Sequence, residues 1–173
     1  MKKTFFYILF LFIAVCLHGQ SVEENWGNYW EKWNSRYREV DITSILEFEK
    51  FYADSVEKNP EITPYYLRKD TYRFKAEFLG KTRTTSKEVI TSMKNVFRLF
   101  IGNPKQLKGV INNEVLFRVG TEEIWMPIQP QILKALKQEV KEGEIVTLYC
   151  LFLNEHTVNN VLYNTLFISE FSH

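Results

Sequence analysis

Residues 114–171 read EVLFRVGTEEIWMPIQPQILKALKQEVKEGEIVTLYCLFLNEHTVNNVLYNTLFISEF, and the order of elements in this stretch decides the fold. Glu114–Val119 and Glu122–Ile128 flank Gly120-Thr121, the pattern of two short strands joined by a tight type II′ hairpin. Pro130 opens a helix, because a missing amide costs nothing at the first helical position. Ile132, Leu133, Leu136 and Val140 share one face of that helix. Lys137 and Lys141 suit its C-terminal dipole, and Gly143 follows as a stop. Glu144–Leu153 is almost wholly apolar, as expected of a strand buried on both faces or closed into a barrel. Asn154–Asn160 reads as a polar loop and Val161–Phe171 as the last strand.

Upstream, Thr71–Leu79 alternates. Tyr72, Phe74, Ala76 and Phe78 point one way, Arg73, Lys75 and Glu77 the other, which is a half-buried strand ending at Gly80. Arg73, Lys75, Lys81 and Arg83 form a basic row that could hold an acidic ligand and is read first as a solvated strand face. Thr85 and Glu88 fit a capping box, starting a helix to about Phe100 with Val89, Met93, Val96, Phe97 and Phe100 on one face. Gly102 and Pro104 end it. Asp41 caps an earlier helix to about Glu57, whose apolar face is expected to hold Ile45, Phe48, Tyr52 and Val56 and which Asn59-Pro60 stops. Before it, Trp26, Tyr29, Trp30, Trp33, Tyr37 and Val40 recur at helical spacing, and a stripe of this kind is expected to bury against the main domain.

Five strands with a helix between the third and fourth resemble the OB-fold, a partly open Greek-key barrel. The resemblance is one of topology and covers about residues 70–171. One long insertion, holding the helix from Ser86, separates the first two strands. The expected fold class is therefore α+β: a small five-stranded OB-like barrel with an inserted helix and an N-terminal helical extension. The expected divisions are 1–19 as a signal peptide, 20–69 as the helical extension and 70–173 as the barrel.

Residues 1–20, MKKTFFYILFLFIAVCLHGQ, carry the marks of an export signal. Lys2 and Lys3 form a positive start, and Thr4–Leu17 is an apolar run too short to span a bilayer. The expected cut after Gly19 leaves Gln20 first, which resembles exported proteins of Bacteroidetes-type bacteria. The expected location is the periplasm or the medium. Ile13-Ala14-Val15-Cys16 offers an alternative, a degenerate lipobox with lipid on Cys16, although Val15 departs from that pattern. Cleavage after Gly19 removes Lys2 and Lys3 from 22 basic residues, leaving 20 against 21 acidic ones and a formal charge of −1. Only Cys150 then remains, so no intramolecular disulfide can form. It lies in an apolar run and reads as a buried, inert thiol.

Composition bounds the function. The hydrophobic fraction of 45% and aromatic fraction of 16% support a packed core rather than disorder. A net charge of +1 is far from the basic surplus that nucleic-acid binding needs. After the signal only His156 and His173 remain, and no H-E-x-x-H, C-x-x-C or P-loop spacing occurs, so no metal or cofactor is expected. Glu122 and Glu123 are adjacent on a strand, point to opposite faces, and do not form a glycosidase pair. Glu155-His156 is the one pair with general-base character, and no nucleophile motif can be tied to it.

The OB-like topology implies a ligand face on its second and third strands and adjacent loops. Carried onto this chain, that face comprises Phe117, Arg118, Glu123 and Trp125 with loop residues Asn154, Glu155 and His156. The expected function is a non-enzymatic binding module for a protein, glycan or small molecule. Two alternatives stand beside it: a cell-envelope assembly protein docking through its aromatic helices, and a hydrolase whose catalytic residues are not recognised.

Overall fold

A computed structural model describes residues 27–59, 61, 65–157 and 162–173 of the chain. The expected signal segment, Cys16, Trp26 and most of the loop before the last strand lie outside the described residues. The chain divides into two compact units, with the boundary between Arg36 and Tyr37. In the first, helix α1 spans 27–36 and its rings contact one another, Tyr29 meeting Trp30 edge-on at 5.0 Å. The helical reading to Val40 runs too far. Arg38–Glu39 instead form a short strand, β1, parallel to β2 at Tyr72 and Arg73. Arg73 fixes this departure by donating to the Tyr37 carbonyl and pairing with Glu39.

The second unit holds α2 (Ile42–Lys58), β2 (Tyr65–Thr84), α3 (Lys87–Phe100), a 3-10 turn (Pro104–Leu107), β3 (Asn113–Val119), β4 (Glu122–Ile128), α4 (Pro130–Glu139), β5 (Ile145–Thr157) and β6 (Tyr163–Ser172). Strands β2 to β6 hydrogen-bond in the cyclic order β2-β3-β4-β6-β5-β2, with β1 added at the side. All neighbours in this ring are antiparallel except β4 and β6, which run parallel and pair at the single position Ile128–Ile168. This ring, with a helix between β4 and β5 and another inserted between β2 and β3, is the small OB-like order anticipated from the sequence.

One long strand closes the ring. β2 runs for 20 residues rather than stopping at Gly80. Its first part pairs with β5, up to Glu77–Ile145, and its last part with β3, from Glu77–Arg118 to Thr84–Asn113. The register breaks between Phe78 and Thr82, and Gly80 sits in the break at φ +70. A glycine there bends the strand instead of ending it, because it reaches positive φ at no steric cost. A Cβ at Gly80 would also stand 2.9 Å from the Glu142 carboxylate.

The inner face is apolar over most of its area, with Asn154 and His156 at the far end of β5. Tyr72, Phe74, Ala76 and Phe78 of β2 meet Val115, Phe117 and Val119 of β3, Met126 and Ile128 of β4, Leu148, Cys150 and Phe152 of β5, and Leu166 and Ile168 of β6. Leu136 and Val140 from the α4 region and Ile42 at the start of α2 complete it. Burial pushes the Cys150 thiol well above its ordinary value, so it stays protonated. A second core lies on the outer side of β5 and β6. There Met93, Val96 and Phe97 of α3 cover Leu153 and Phe167, joined by Leu107 and Ile111.

Two helix readings need correction. α2 buries Ile42, Glu49, Ala53 and Val56, while Phe48 is 50% exposed. The helix is turned because the Glu49 carboxylate, on the buried face, takes an ion pair from Arg68. α3 is capped by Ser86, whose hydroxyl accepts from the Val89 amide, and not by Thr85. Thr85 is buried and still belongs to the sheet side, its amide donating to the Asn112 carbonyl.

Candidate functional site

Register places three rows of side chains on the outer face of β2, β3 and β4. Cross-strand partners share a face, so Arg83, Glu114 and Pro127 form one row, Leu116 and Trp125 the next, and Glu77, Arg118 and Glu123 the third. Phe117 lies between the last two on β3 and points inward, with no exposed surface. Its expected place on a ligand face is therefore not where the strand puts it. Inward-pointing Met126 and Ile128 leave Trp125 facing out.

The two arginines of this face are held differently. Arg118 uses both terminal amines, Nη1 to the Glu77 carboxylate at 3.0 Å and Nη2 to Glu123 at 3.2 Å. The hydrogen bond to Glu123, then the charge of Glu77, raises its pKa further. Arg83 donates through Nε to Glu114 Oε2 at 2.5 Å, and its guanidinium carbon stands 4.3 Å from the centre of the Trp125 ring. Glu114 has 2% of its side chain exposed and Arg83 has 48%. The carboxylate is thus a buried anchor, and the guanidinium is fixed by it on one edge and by the indole on one face.

Arg83, Glu114, Glu123, Trp125 and Pro127 line one side of a cleft of about 280 Å³. Val89 at the start of α3, Leu162 just before β6, and Tyr163, Asn164 and Thr165 at the start of β6 line the other. The cleft exists because β4 and β6 pair only at Ile128–Ile168, leaving their earlier residues unpaired to each other, and because α3 covers β5 and β6 but not β4.

Asn154, Glu155 and His156 belong to β5 and not to a loop. They are paired in register with Arg68, Leu67 and Tyr66 of β2, and all three are buried. Asn154 donates to the Asn164 side chain at 2.5 Å, Glu155 accepts from Asn95 of α3 at 2.9 Å, and His156 Nε2 stands 3.1 Å from the Glu57 carboxylate of α2. Neither His156 nitrogen meets hydrogen-bond geometry with a described residue. Strand alternation turns Glu155 toward α3 and its two neighbours toward α2.

The anticipated set therefore disperses. Trp125 and Glu123 line the cleft, Arg118 is taken up by an ion triad beside it, Phe117 is core, and the three β5 residues are buried against Asn164, α3 and α2 respectively. Arg83, Glu114, Tyr163 and Asn164 are brought in from outside that set. In the sequence Arg83 stands at the end of a basic row that could hold an acidic ligand. The signal that singles it out is a charged partner, Glu114, directly opposite on the outer face.

Among the described residues no group of three or more His, Cys, Asp and Glu converges as metal ligands, and no helix is long and apolar enough to cross a membrane. Comparison with protein-family models, curated proteins and solved structures finds no match to this chain.

Proposed function

We propose that this chain is an exported, non-enzymatic binding module whose ligand occupies the cleft between β4, β6 and the start of α3. The observation that carries this reading is the fixed pair of Arg83 and Trp125 at the cleft wall, 4.3 Å apart and backed by a buried carboxylate. A polar anchor, an aromatic surface and mixed apolar walls in one concavity are the ordinary composition of a small-ligand site. The cleft also falls on the strands and the adjoining loop that OB-like rings use for ligands, a fold-level argument that adds weight without naming a ligand. Export rests on the n-region and apolar run of residues 1–19.

A panel of monosaccharides, amino acids, small carboxylates and nucleotides, followed by the amide and indole NMR signals of the 15N-labelled chain, tests the site. A ligand is expected to move the Trp125 indole and Asn164 signals, and Trp125→Ala to abolish its binding. Shifts confined to α1 or α2 would place the site elsewhere. Intact mass and N-terminal sequence of the protein from its native host test export. A soluble chain beginning at Gln20 is expected, and one beginning at a lipid-modified Cys16 would overturn the soluble processing.

A second reading, docking of an envelope partner through the helices, is favoured by one observation. Phe48 and Phe51 of α2 are 50% and 72% exposed, and solvated aromatics on one helix are a common contact surface. Replacing both by Ser is expected to lower recovery of a partner crosslinked in the host envelope without changing ligand shifts at Trp125.

A further inference from the structure

We infer that the cleft, if it is the binding site proposed above, selects a small hydrophobic monocarboxylate that docks end-on against Arg83. A guanidinium carries five N–H donors in a fixed planar fork. Arg83 spends one of them, Nε–H, on Glu114. Its two terminal amines make no hydrogen bond to a described residue, and the side chain is about half exposed at the cleft. On the same face, Arg118 has both terminal amines engaged. Arg83 thus offers two parallel donors whose direction is already set by Glu114 and by the Trp125 ring.

Two parallel N–H groups match the two oxygens of a carboxylate and give it a planar, bidentate seat. Pre-set orientation removes part of the ordering cost that a free arginine would incur on binding. Charge sharpens the choice. Glu114 already compensates Arg83, and the neighbouring Glu77, Arg118 and Glu123 sum to −1. A dianion such as a phosphate monoester would bring two negative charges to a wall with no net positive charge, whereas a single delocalised charge can be met by the fork alone. Part of the remaining lining suits an apolar ligand body: Val89, Ile124, Pro127 and Leu162 lie beside the polar Glu123, Tyr163, Asn164 and Thr165, and about 280 Å³ holds one ring or one branched chain.

The test uses 3-phenylpropionate, its neutral isostere 3-phenylpropionamide, phenyl phosphate, and a tetrapeptide ending in Phe with a free or an amidated C-terminus. Binding is read from the Trp125 indole signal. The acid is expected to bind at least about tenfold more tightly than the amide, the difference that charge-assisted bonds supply, and more tightly than phenyl phosphate. Arg83→Lys keeps the charge but loses the fork, and is expected to remove most of the preference for acid over amide. Arg118→Gln is expected to leave it intact. A free-ended tetrapeptide that outbinds the acid would identify the source as a chain terminus, and equal or weaker binding a free acid; both support the carboxylate.

Equal binding of acid and amide at Trp125 would overturn the carboxylate and leave the cleft standing as a site. So would stronger binding of phenyl phosphate. Silence from every probe at Trp125 would overturn the inference, and the cleft reading falls with it only if the broader panel is silent there too. The comparison of acid with amide needs no variant, so a poorly folding Arg83→Lys does not remove the test.

Discussion

Arg83 and Arg118 stand on the outer face of neighbouring strands in the same ring, and they end in opposite conditions. Arg118 has a glutamate opposite it on each side, Glu77 across β2 and Glu123 across β4, so register alone closes both of its terminal amines. Arg83 lies past the bulge at Gly80, opposite one glutamate, and its second neighbour is an indole. The first arginine knits three strands at the surface. The second is oriented and left open. The difference teaches that an arginine's availability is set by its cross-strand partners and not by its exposure, since the two side chains are comparably exposed, 41% and 48%.

The largest effect that would break this comparison comes from the residue beside Arg118. Phe117 points inward and has no exposed surface, so Phe117→Ala is expected to cost about 3–5 kcal/mol in urea unfolding, the usual range for emptying an aromatic core site. A loss below about 1 kcal/mol would mean that the inner and outer faces of β3 are misassigned, and both arginines with them. Next come the arginines themselves. Arg83→Ala strands the buried Glu114 carboxylate and is expected to cost about 2–3 kcal/mol, below the value for a fully buried pair because Arg83 is half in water. Arg118→Ala is expected to leave the midpoint almost unmoved, since its partners are solvated. Equal losses would erase the distinction.

The inner face carries a titration of its own at high pH. Cys150 has its thiol pKa raised by burial above an ordinary value of 9.0. Its contribution is therefore complete at neutral pH and declines once the unfolded thiol begins to ionise, above about pH 9. Stability is expected to fall there by up to about 1.4 kcal/mol per pH unit. Cys150→Ala should flatten the slope just above pH 9, ahead of the further loss from Tyr72, whose phenol is raised by burial and by its bond to Asp70. An unchanged slope would show that the thiol is not held protonated. A small effect is expected at His156 as well. Because its nitrogens lack hydrogen-bond geometry, His156→Leu is expected to change stability by less than about 1 kcal/mol. A loss above about 2 kcal/mol would show that the 3.1 Å approach of Glu57 is a working ion pair and that the polar end of β5 resembles Arg118 more than it resembles a core.

Much of the ring could be read from the chain. Gly120-Thr121 between alternating runs fixes β3 and β4, Pro130 and the spacing to Val140 fix α4, and the apolar run after Gly143 fixes β5. These are local signals, carried within a few residues. The readings that failed needed information from far along the chain. Gly80 looks like a stop until β3 and β5 claim opposite halves of β2. Asn154-Glu155-His156 looks like a loop until Asn164, Asn95 and α2 supply partners for polar side chains in a strand. The buried face of α2 shifts because Glu49 finds Arg68.

The candidate site divides along the same line. Trp125 could be placed outward from strand parity, because alternation is a property of the backbone. Arg83 and Glu114 are 31 residues apart, and nothing near either one marks the pair. Side-chain period, turn chemistry and helix ends are set by sterics and hydrogen bonding within a turn or two of chain, and these the sequence determined by itself. Which polar groups meet, which arginine is closed and which is left open depend on register between strands distant in sequence. That register is settled only when the ring closes and the inner face leaves water, so the cleft and its open guanidinium are decisions of the tertiary structure.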